Sequence, residues 1–356
     1  MKKFFAIVLI AAAMTACTGG TKYTIKGTNV GFDDGTIVYL QEAVNNQYLE
    51  VVDSVILSNH SFKFKGEIAS DNNTPYRYIT IDDYMFIPVY WEAGRILVAD
   101  IDPVTRKYRV SGTPMNDLIT EFNDNIYQFQ KEHGELMYVG DEKTAGVIHN
   151  DMMGYIKGFI MENIATPVAR QYLVEFYSEF QPQDVLDIIA LIPTEEAAEF
   201  AGMKQNAESA LKVQVGKPYI DVVEKTPEGK ELSLKSVVEN GKNKYVLLDF
   251  WASWCGPCMQ EVPYLIETYK AFHKKGFEIY GVSFDRSKEA WLNAIKDNKL
   301  NWLHVSALNM WENQARTDYA INSIPANFLI DCSTGEIIAK NLRGKEVKAK
   351  IEELLK

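Results

Sequence analysis

The feature that most constrains the fold is a pair of cysteines between an apolar segment and a helical segment. The apolar segment, Tyr245–Phe250, is continuous enough to indicate a strand that is buried on both faces of a sheet. Cys255 and Cys258 follow it, and the sequence over Pro263–Lys275 predicts a helix that stops at Gly276. This order of strand, cysteine pair and helix predicts an α/β domain with the cysteines at a helix N-terminus.

The rest of the C-terminal region alternates in the same way. The predicted elements are a hairpin over Ile220–Leu234, strands over Phe277–Ser283, Asn327–Asp331 and Glu336–Ala339, and helices over Lys288–Asn298 and Val347–Leu355. Strand–helix–strand followed by strand–strand–helix predicts a mixed α/β sheet with a right-handed crossover.

The spacing of the two cysteines suits thiol–disulfide exchange. Cysteines three positions apart at a helix N-terminus can close a small disulfide ring, and the helix dipole and free backbone N–H groups stabilise a thiolate there. We expect Cys255 to be the exposed nucleophile. Cys258, one turn inside, is expected to be more buried and to resolve the mixed disulfide. Pro257 suits the start of a helix, where its missing N–H has no partner to lose.

The sequence Trp-Ala-Ser-Trp-Cys-Gly-Pro-Cys over 251–258 closely resembles the thioredoxin superfamily, and in particular the TlpA-like and ResA-like envelope reductases. The resemblance extends over 213–356, about two-fifths of the chain. It implies a thioredoxin-like α/β fold for this region and the activity of a protein disulfide reductase or isomerase. We expect no cofactor and no metal. The segment from Asn298 to Ala320 matches an insertion of the TlpA-like branch.

The same resemblance assigns roles to three residues near the cysteines. Asp249 matches the buried acid beneath the active site that accepts or relays the proton of the second thiol, and burial would raise its pKa. Glu261 matches an acidic residue just after the motif, and Pro325 matches the cis-proline that faces the disulfide. Each has a simpler alternative: Asp249 as a surface acid, Glu261 as an acid favoured by the helix dipole, and Pro325 as an ordinary trans proline.

A substrate-binding surface is expected around the cysteine pair, made by Trp254, Gly256, Pro257 and Ile324. By resemblance, Trp254 would line a groove, and the cis-proline would leave the backbone of Ile324 free to pair with an extended substrate peptide. The remaining thiol, Cys332, is expected to be a buried small residue at the end of an inner strand. A disulfide between it and one of the paired cysteines is left open.

The two regions that precede residue 213 differ from each other. Residues 17–113 show short alternating segments separated by turns, which predicts a β-sandwich-like N-terminal domain. Through Val52–Ser54 and Phe62–Gly66, this region resembles the small β-domain of unknown function that often precedes thioredoxin-like domains in envelope lipoproteins. Residues 114–212 carry apolar side chains at intervals of three and four, which predicts a helical segment whose stripes are packing faces.

The N-terminus has the pattern of an export signal. Two lysines precede an apolar run over Phe4–Met14, about half the length that spans a bilayer as a helix. Small residues then lead to Cys17, which resembles the lipobox of bacterial lipoproteins, although the run ends in methionine where leucine is usual. We predict a signal peptide over 1–16 and lipidation of Cys17, with a plain secretory signal as the alternative.

The net charge and the small number of possible metal-binding side chains limit the functions that the sequence allows. The formal net charge is −11, so nucleic acid is not an expected partner, because phosphate binding needs a basic surface. A structural zinc site needs four ligands, and the chain has no second cysteine pair and no closely spaced histidines. The alternatives to a thiol–disulfide oxidoreductase are a peroxiredoxin-like thiol peroxidase and a non-catalytic binding lipoprotein.

The resemblance also implies the direction and the place of the reaction. The Gly-Pro dipeptide between the cysteines is that of thioredoxin, which is strongly reducing. Because a bacterial envelope is an oxidising compartment, a reductase there needs a source of electrons. We therefore expect a membrane-anchored lipoprotein of the periplasm or cell envelope that reduces or isomerises disulfides in exported proteins. A membrane thiol electron donor would recharge it.

Overall fold

The computed structural model describes residues 21–44, 48–68, 75–82 and 84–356. The chain divides into two compact units, one ending at Phe176 and the other running from Tyr177 to Lys356. The signal peptide predicted over 1–16 and the lipidation predicted at Cys17 lie outside the described residues. Within the described ranges, no helix is both long and apolar enough to cross a membrane.

The described part of the first unit begins with two sheets. Its strands are β1 (Lys22–Val30), β2 (Ile37–Val44), β3 (Tyr48–Ile56), β4 (Phe62–Glu67), β5 (Tyr76–Ile81), β6 (Met85–Tyr90), β7 (Gly94–Ile101) and β8 (Arg109–Ser111). One sheet has the order β4-β1-β7-β8 and the other β3-β2-β5-β6. Strands β1 and β7 are parallel, and the other neighbouring pairs are antiparallel. The predicted all-β N-terminal domain is confirmed.

Side chains from both sheets share one core. Ile25 and Phe64 from one sheet and Leu40 and Ile79 from the other are almost completely buried. In β4, Phe62 and Phe64 are buried while the lysines between and after them are exposed. This is the two-residue period of a strand with one buried face, and it builds a sandwich.

The helices of the first unit are α1 (Pro114–Tyr138), α2 (Glu142–Asn163) and α3 (Pro167–Phe176). They pack through aromatic side chains. Phe122 of α1 stacks on Tyr172 of α3 with ring centroids 4.1 Å apart, and it lies 4.9 Å from the ring of Phe159 in α2. These stripes are packing faces, in keeping with the intervals of three and four seen in the sequence.

The second unit begins with two helices and continues with a mixed sheet. Its elements are α4 (Pro182–Ile189), α5 (Ala201–Lys212), β9 (Val223–Lys225), β10 (Glu231–Ser233), α6 (Leu234–Val238), β11 (Tyr245–Trp251), α7 (Gly256–Phe272), β12 (Phe277–Ser283), α8 (Lys288–Asp297), β13 (Leu303–Val305), α9 (Gln314–Asp318), β14 (Ala326–Asp331), β15 (Glu336–Lys340) and α10 (Lys345–Leu354). Short 3-10 turns lie over Tyr177–Glu179, Ala197–Phe200, His273–Lys275 and Met310–Glu312. The helices within 114–212 are thus divided between the two units.

The sheet of the second unit has the order β13-β12-β11-β14-β15. Strands β11, β12 and β13 are parallel, whereas β14 and β15 are antiparallel to their neighbours. The predicted thioredoxin-like mixed sheet is confirmed, and every residue of β12 is buried. Because β11 is the central strand, the loop that follows it opens at the edge where the parallel strands end.

Two local features differ from the sequence expectation. The helix after the cysteines begins at Gly256 and continues through Pro263, where the prediction had placed its start. Cys255 caps this helix, so its first turn is formed by the motif itself. The segment from Asn298 to Ala320 contains β13 and α9, which are too short to show a recognisable period.

Candidate active site

The cysteine pair lies where the central strand passes into α7. Strand β11 ends at Trp251, and a loop of three residues leads to Cys255, the N-cap of the helix. The buried carboxylate of Asp285 holds this loop. It accepts hydrogen bonds from the Ser253 backbone N at 3.0 Å, from the Ser253 hydroxyl at 2.5 Å and from the Ser283 hydroxyl at 2.6 Å. These bonds join the loop after β11 to the end of the neighbouring parallel strand, β12, and so fix the start of α7.

Cys255 and Cys258 form a disulfide, with their Cα atoms 5.2 Å apart. The Sγ atom of Cys255 accepts a hydrogen bond from the backbone N of Cys258 at 3.1 Å. A thiolate on Cys255 would receive the same N–H bond and the positive end of the helix dipole, both of which lower a thiol pKa. The expected contrast in exposure is absent from the disulfide form, because Cys255 is 4% exposed and Cys258 is 3% exposed.

The segment before β14 faces the disulfide. The Ile324–Pro325 peptide bond is cis. The carbonyl oxygen of Ile324 lies 3.6 Å from the Sγ atom of Cys255. This distance is a contact in the disulfide, since a bridged sulfur has no hydrogen to donate. The backbone of Ile324 thus lies beside the sulfur that an incoming substrate must reach.

Asp249 lies beneath the disulfide in the central strand. It is 5% exposed, and it lines a cavity of about 10 Å³ together with Cys258 and Pro325. A cavity of that volume has room for about one water. Burial raises the pKa of Asp249 to about 7; the charge of Arg343 opposes this rise and the charge of Glu261 adds to it. A buried carboxyl that titrates near neutral pH is suited to accept and return a proton.

Glu261 borders the same cavity from the second turn of α7. Its Oε2 atom accepts a hydrogen bond from the backbone N of Gly344 at 2.6 Å. Glu261 therefore joins α7 to the loop before α10, and its charge acts on Asp249 through the protein interior.

Two residues next to the site, Arg343 and Asn327, are not predicted by any sequence motif. The guanidinium of Arg343 donates hydrogen bonds to the carbonyl of Pro325 and, at 3.0 Å, to the carbonyl of Leu342. Asn327, the cross-strand partner of Asp249, binds both the backbone N and the backbone O of Leu342, at 3.0 and 2.9 Å. Only the antiparallel pairing of β14 and the return of the chain after β15 bring these residues to the site, which is why no local motif predicts them.

The outer surface of the site is partly aromatic. Trp254 is 49% exposed, and its Nε1 donates to the carbonyl of Phe284 at 3.3 Å. Gly256 and Pro257 are exposed beside it. The ring of Trp311, from the segment between β13 and α9, lies 6.4 Å from the ring of Trp254. Trp311 extends the aromatic surface that the sequence predicted from Trp254, Gly256, Pro257 and Ile324.

The third described cysteine is separate from the pair. Cys332 follows β14, is partly buried and is a free thiol. Burial, with a smaller contribution from the charge of Asp331, raises the pKa of the Cys332 thiol to about 12, which makes it a poor nucleophile. In the described part of the chain, no group of three or more His, Cys, Asp or Glu side chains is placed to hold a metal ion.

Together these residues can carry out a two-step exchange of disulfides. Cys255 occupies the position that favours a thiolate, Cys258 lies within bonding distance, and Asp249 lines the cavity next to Cys258. The chemistry needs no group from outside the chain other than a disulfide or dithiol partner.

Two family models match the chain. One is described as thioredoxin-like and matches residues 243–337, and the other is a domain of unknown function that matches residues 23–119. The second match agrees with the resemblance of the N-terminal β-domain to a domain of unknown function.

Named relatives match the C-terminal part. The chain is 34% identical over 145 residues to the thiol-disulfide oxidoreductase ResA of Bacillus thuringiensis subsp. konkukian, which covers 41% of this chain and 79% of the relative. It is 35% identical over 103 residues to ResA of Bacillus subtilis, covering 29% of this chain and 54% of that protein.

A solved structure is similar to the same region. The thioredoxin domain of a thiol-disulfide oxidoreductase from Bacteroides vulgatus is 36% identical, with a TM-score of 0.37, and the match covers 40% of this chain and 99% of the domain. The redox pair, the mixed sheet and the identity to ResA across most of that relative's length point to one conclusion. Through its C-terminal unit, the chain belongs to the ResA-like thiol-disulfide oxidoreductases of the thioredoxin superfamily.

Proposed function

We propose that this oxidoreductase works in the cell envelope, where it reduces or isomerises disulfides in exported proteins. The observation that carries the proposal is the Cys255–Cys258 disulfide at the start of α7, with the Ile324 carbonyl 3.6 Å from the Sγ atom of Cys255. An extended polypeptide can pair with this backbone while its own disulfide approaches Cys255.

In the first step, the thiolate of Cys255 attacks one sulfur of the client disulfide. A bond forms between Cys255 and that sulfur, the client S–S bond breaks, and the released client thiolate takes a proton from solvent. The backbone N–H of Cys258 and the dipole of α7 stabilise the attacking thiolate.

In the second step, Cys258 loses its thiol proton to the carboxylate of Asp249 and attacks the Sγ atom of Cys255. The mixed disulfide breaks, the second client sulfur leaves as a thiolate that takes up the proton held by Asp249 or one from solvent, and two electrons have passed from the protein to the client. The observed Cys255–Cys258 disulfide is the product of this step. A membrane dithiol protein would return the pair to its reduced form.

The reducing direction is supported by the Gly-Pro dipeptide, which the motif has in common with thioredoxin, a protein with a potential of about −270 mV. Location in the envelope is supported by the export pattern before Cys17. Acyl chains on that cysteine would hold the protein at a membrane.

The direction is tested by redox titration of the purified protein against glutathione and dithiothreitol, with alkylation and mass analysis of Cys255 and Cys258. We expect a reduction potential of about −270 mV for the Cys255–Cys258 couple. The couple should be absent in Cys258→Ser and unchanged in the control Cys332→Ser. A potential above about −150 mV would replace the reductase by an oxidase, since it approaches that of the strong oxidant DsbA.

The clients are tested in cells. A Cys258→Ser variant stops after the first step, so it should retain mixed disulfides with exported proteins that are released by reducing agent. Cys255→Ser is the matched control and should retain none. If both variants retain the same proteins, the pair does not act on clients in the proposed order.

The anchor is tested by fractionation of cells that express Cys17→Ser. We expect this variant to lose incorporated acyl label and to leave the membrane fraction, while its C-terminal unit keeps its reducing activity. Retention of the label in Cys17→Ser would show that the lipid is not attached to Cys17 and would contradict the proposed anchor.

A further inference from the structure

Three buried ring nitrogens near the cysteine pair lack hydrogen-bond partners within the described part of the chain. They are Nε1 of Trp251, Nε1 of Trp302 and Nδ1 of His304. The three side chains are between 4% and 8% exposed, so bulk water does not reach them freely. Leaving such a group unsatisfied costs about 1–3 kcal/mol, so three together point to an unassigned ligand.

The three nitrogens converge above Gly281 in β12. A Cβ atom at this residue would lie 3.2 Å from Nδ1 of His304, 3.2 Å from Nε1 of Trp251 and 3.4 Å from Nε1 of Trp302. Gly281 has no positive φ, so its backbone does not require glycine. What glycine provides here is the close approach of three polar ring nitrogens to the backbone, which a Cβ atom would crowd.

The sheet register places Gly281 next to the catalytic acid. Gly281 pairs with Asp249 on one side and with His304 on the other, and both pairings are parallel. Neighbouring residues in register project to the same face of a sheet, so the gap at Gly281 lies between the side chains of Asp249 and His304. Trp251 and Trp302 also line the cavity of about 10 Å³ that contains Asp249 and Cys258.

The available donors and acceptors fit one water. His304 donates through Nε2 to the carbonyl of Leu300 at 3.2 Å, which leaves Nδ1 as an acceptor, and burial lowers the pKa of His304 to about 4, so the ring is neutral. A water can accept from both tryptophans and donate one hydrogen to His304. Its second hydrogen is then directed to Asp249, which satisfies all four positions of the water.

We propose that the space above Gly281 is a water site, where Trp251, Trp302 and His304 hold one water that donates a hydrogen bond to the Asp249 carboxylate. The three side chains are positioning residues, and they act on the reaction only through this water and Asp249. A hydrogen bond to the carboxylate favours the form that accepts the proton of Cys258. Arg343 favours the same form and Glu261 opposes it. The inference rests on the proposed function for its role in catalysis.

The first test is Gly281→Ala, which puts a methyl group against the three ring nitrogens and crowds the position of the water. The rate at which Cys258 resolves a preformed mixed disulfide is followed from pH 5 to pH 9. We expect the midpoint of the rise in rate to move up by about 1–2 pH units, the size of one lost hydrogen bond to a charged group. The control Gly158→Ala, whose added Cβ meets nothing within 4 Å, should leave the profile unchanged.

The second test uses His304 and keeps the inference falsifiable if Gly281→Ala does not fold. His304→Leu removes the acceptor and should move the pH midpoint in the same direction. His304→Gln offers an acceptor oxygen and should restore at least half of the shift. Equal rate losses in both variants, without a change of the midpoint, would reduce these residues to a packing role and overturn the inference.

The third test does not depend on activity. Titration of Asp249 by carbon NMR of labelled protein should show a higher pKa in Gly281→Ala than in the parent, and a high-resolution crystal structure of the parent should show the water. An empty space in that structure, or an unchanged Asp249 pKa, would refute the water site. A client disulfide that is never reduced would instead refute the proposed function and leave the water site standing.

Discussion

At the scale of single residues, the proposed mechanism depends on one buried acid. Asp249 has a pKa near 7 because burial outweighs the favourable charge of Arg343. Its carboxyl can therefore be either protonated or ionised at physiological pH, as a proton acceptor for Cys258 requires. The same property makes this residue a source of instability when it ionises.

The first prediction concerns Asp249→Asn. The pKa of this group is raised in the folded protein from its ordinary value of 3.8, so wild-type stability falls as the pH rises from about 4 to about 7. The asparagine variant cannot ionise, and we expect it to be more stable than the parent by about 4 kcal/mol at pH 8, with no such gain at pH 4. Urea unfolding at the two pH values measures the difference.

The second prediction is that Asp249→Asn slows only the resolving step. Without a carboxylate next to Cys258, the mixed disulfide should persist at least about a hundredfold longer at pH 7, the lower end of the range for loss of a general base. Attack by Cys255 should change less than about threefold, because the helix N-terminus that stabilises its thiolate is intact. Stopped-flow reduction of a model disulfide separates the steps, and equal slowing of both would contradict the assignment.

Glu224 provides the matched control. Burial also raises its pKa to about 7, and its Oε1 accepts from the side chain of Asn313 at 2.7 Å, but it does not line the cavity of the cysteine pair. The third prediction is that Glu224→Gln gains about 3 kcal/mol of stability at pH 8 and keeps the parent's exchange rates. A loss of exchange activity in this variant would show that a buried acid outside the cavity of the cysteine pair also affects the reaction.

At the scale of elements, two loops determine the position of the cysteine pair. The loop before α7 depends on Asp285, whose carboxylate accepts three hydrogen bonds. The loop after β15 depends on Arg343, which binds the carbonyl of Pro325, and on Asn327, which binds Leu342. The first loop is fixed by a side chain that follows β12, and the second by its own Arg343 together with Asn327 of β14.

The fourth prediction separates the charge of Arg343 from its hydrogen bonds. Arg343→Gln removes the positive charge, so the pKa of Asp249 should rise and the pH midpoint of the resolving step should move up. Arg343→Lys keeps the charge and loses the planar fork that binds the carbonyls of Pro325 and Leu342, so it should leave the midpoint nearly unchanged. The measurement is the same rate–pH profile, and identical midpoints in all three proteins would exclude an electrostatic role.

At the scale of the whole molecule, the redox unit has its own core. Its buried cluster runs from Val213 in sequence to Ile351 and includes both cysteines of the pair. The β-domain of the first unit has a separate cluster drawn from both of its sheets. Each cluster is continuous within its unit, as expected of domains that bury their own apolar surface.

The fifth prediction follows from the extent of that core. A chain of residues 177–356 should unfold in a single cooperative transition and keep the reactivity of Cys255, because it contains the complete cluster. A shorter chain of residues 213–356 retains the same cluster but lacks α4 and α5, so it should also fold, with a lower melting temperature. Circular dichroism and alkylation rates measure both, and an unfolded 177–356 chain would show that the cluster alone is insufficient.

Much of this architecture is readable from local patterns. The strand Phe277–Ser283 is buried on both faces of the sheet, as its nearly continuous run of apolar residues predicts. The cysteine motif predicted the disulfide chemistry because its spacing and its place at a helix start are local properties. The helix start at Gly256 and the elements between Asn298 and Ala320 were less clear, since the first depends on a cap and the others are short.

The local order of residues thus predicted the class of fold, the cysteine pair and the burial of Asp249, because each depends on neighbours in the chain. Tertiary structure alone decided that Arg343 reaches the carbonyl of Pro325, that Asn327 holds Leu342, and that the nitrogens around Gly281 face one space beside Asp249. These contacts join residues far apart in sequence. They depend on strand order and register, which are set by the packing of the complete sheet and not by any single segment.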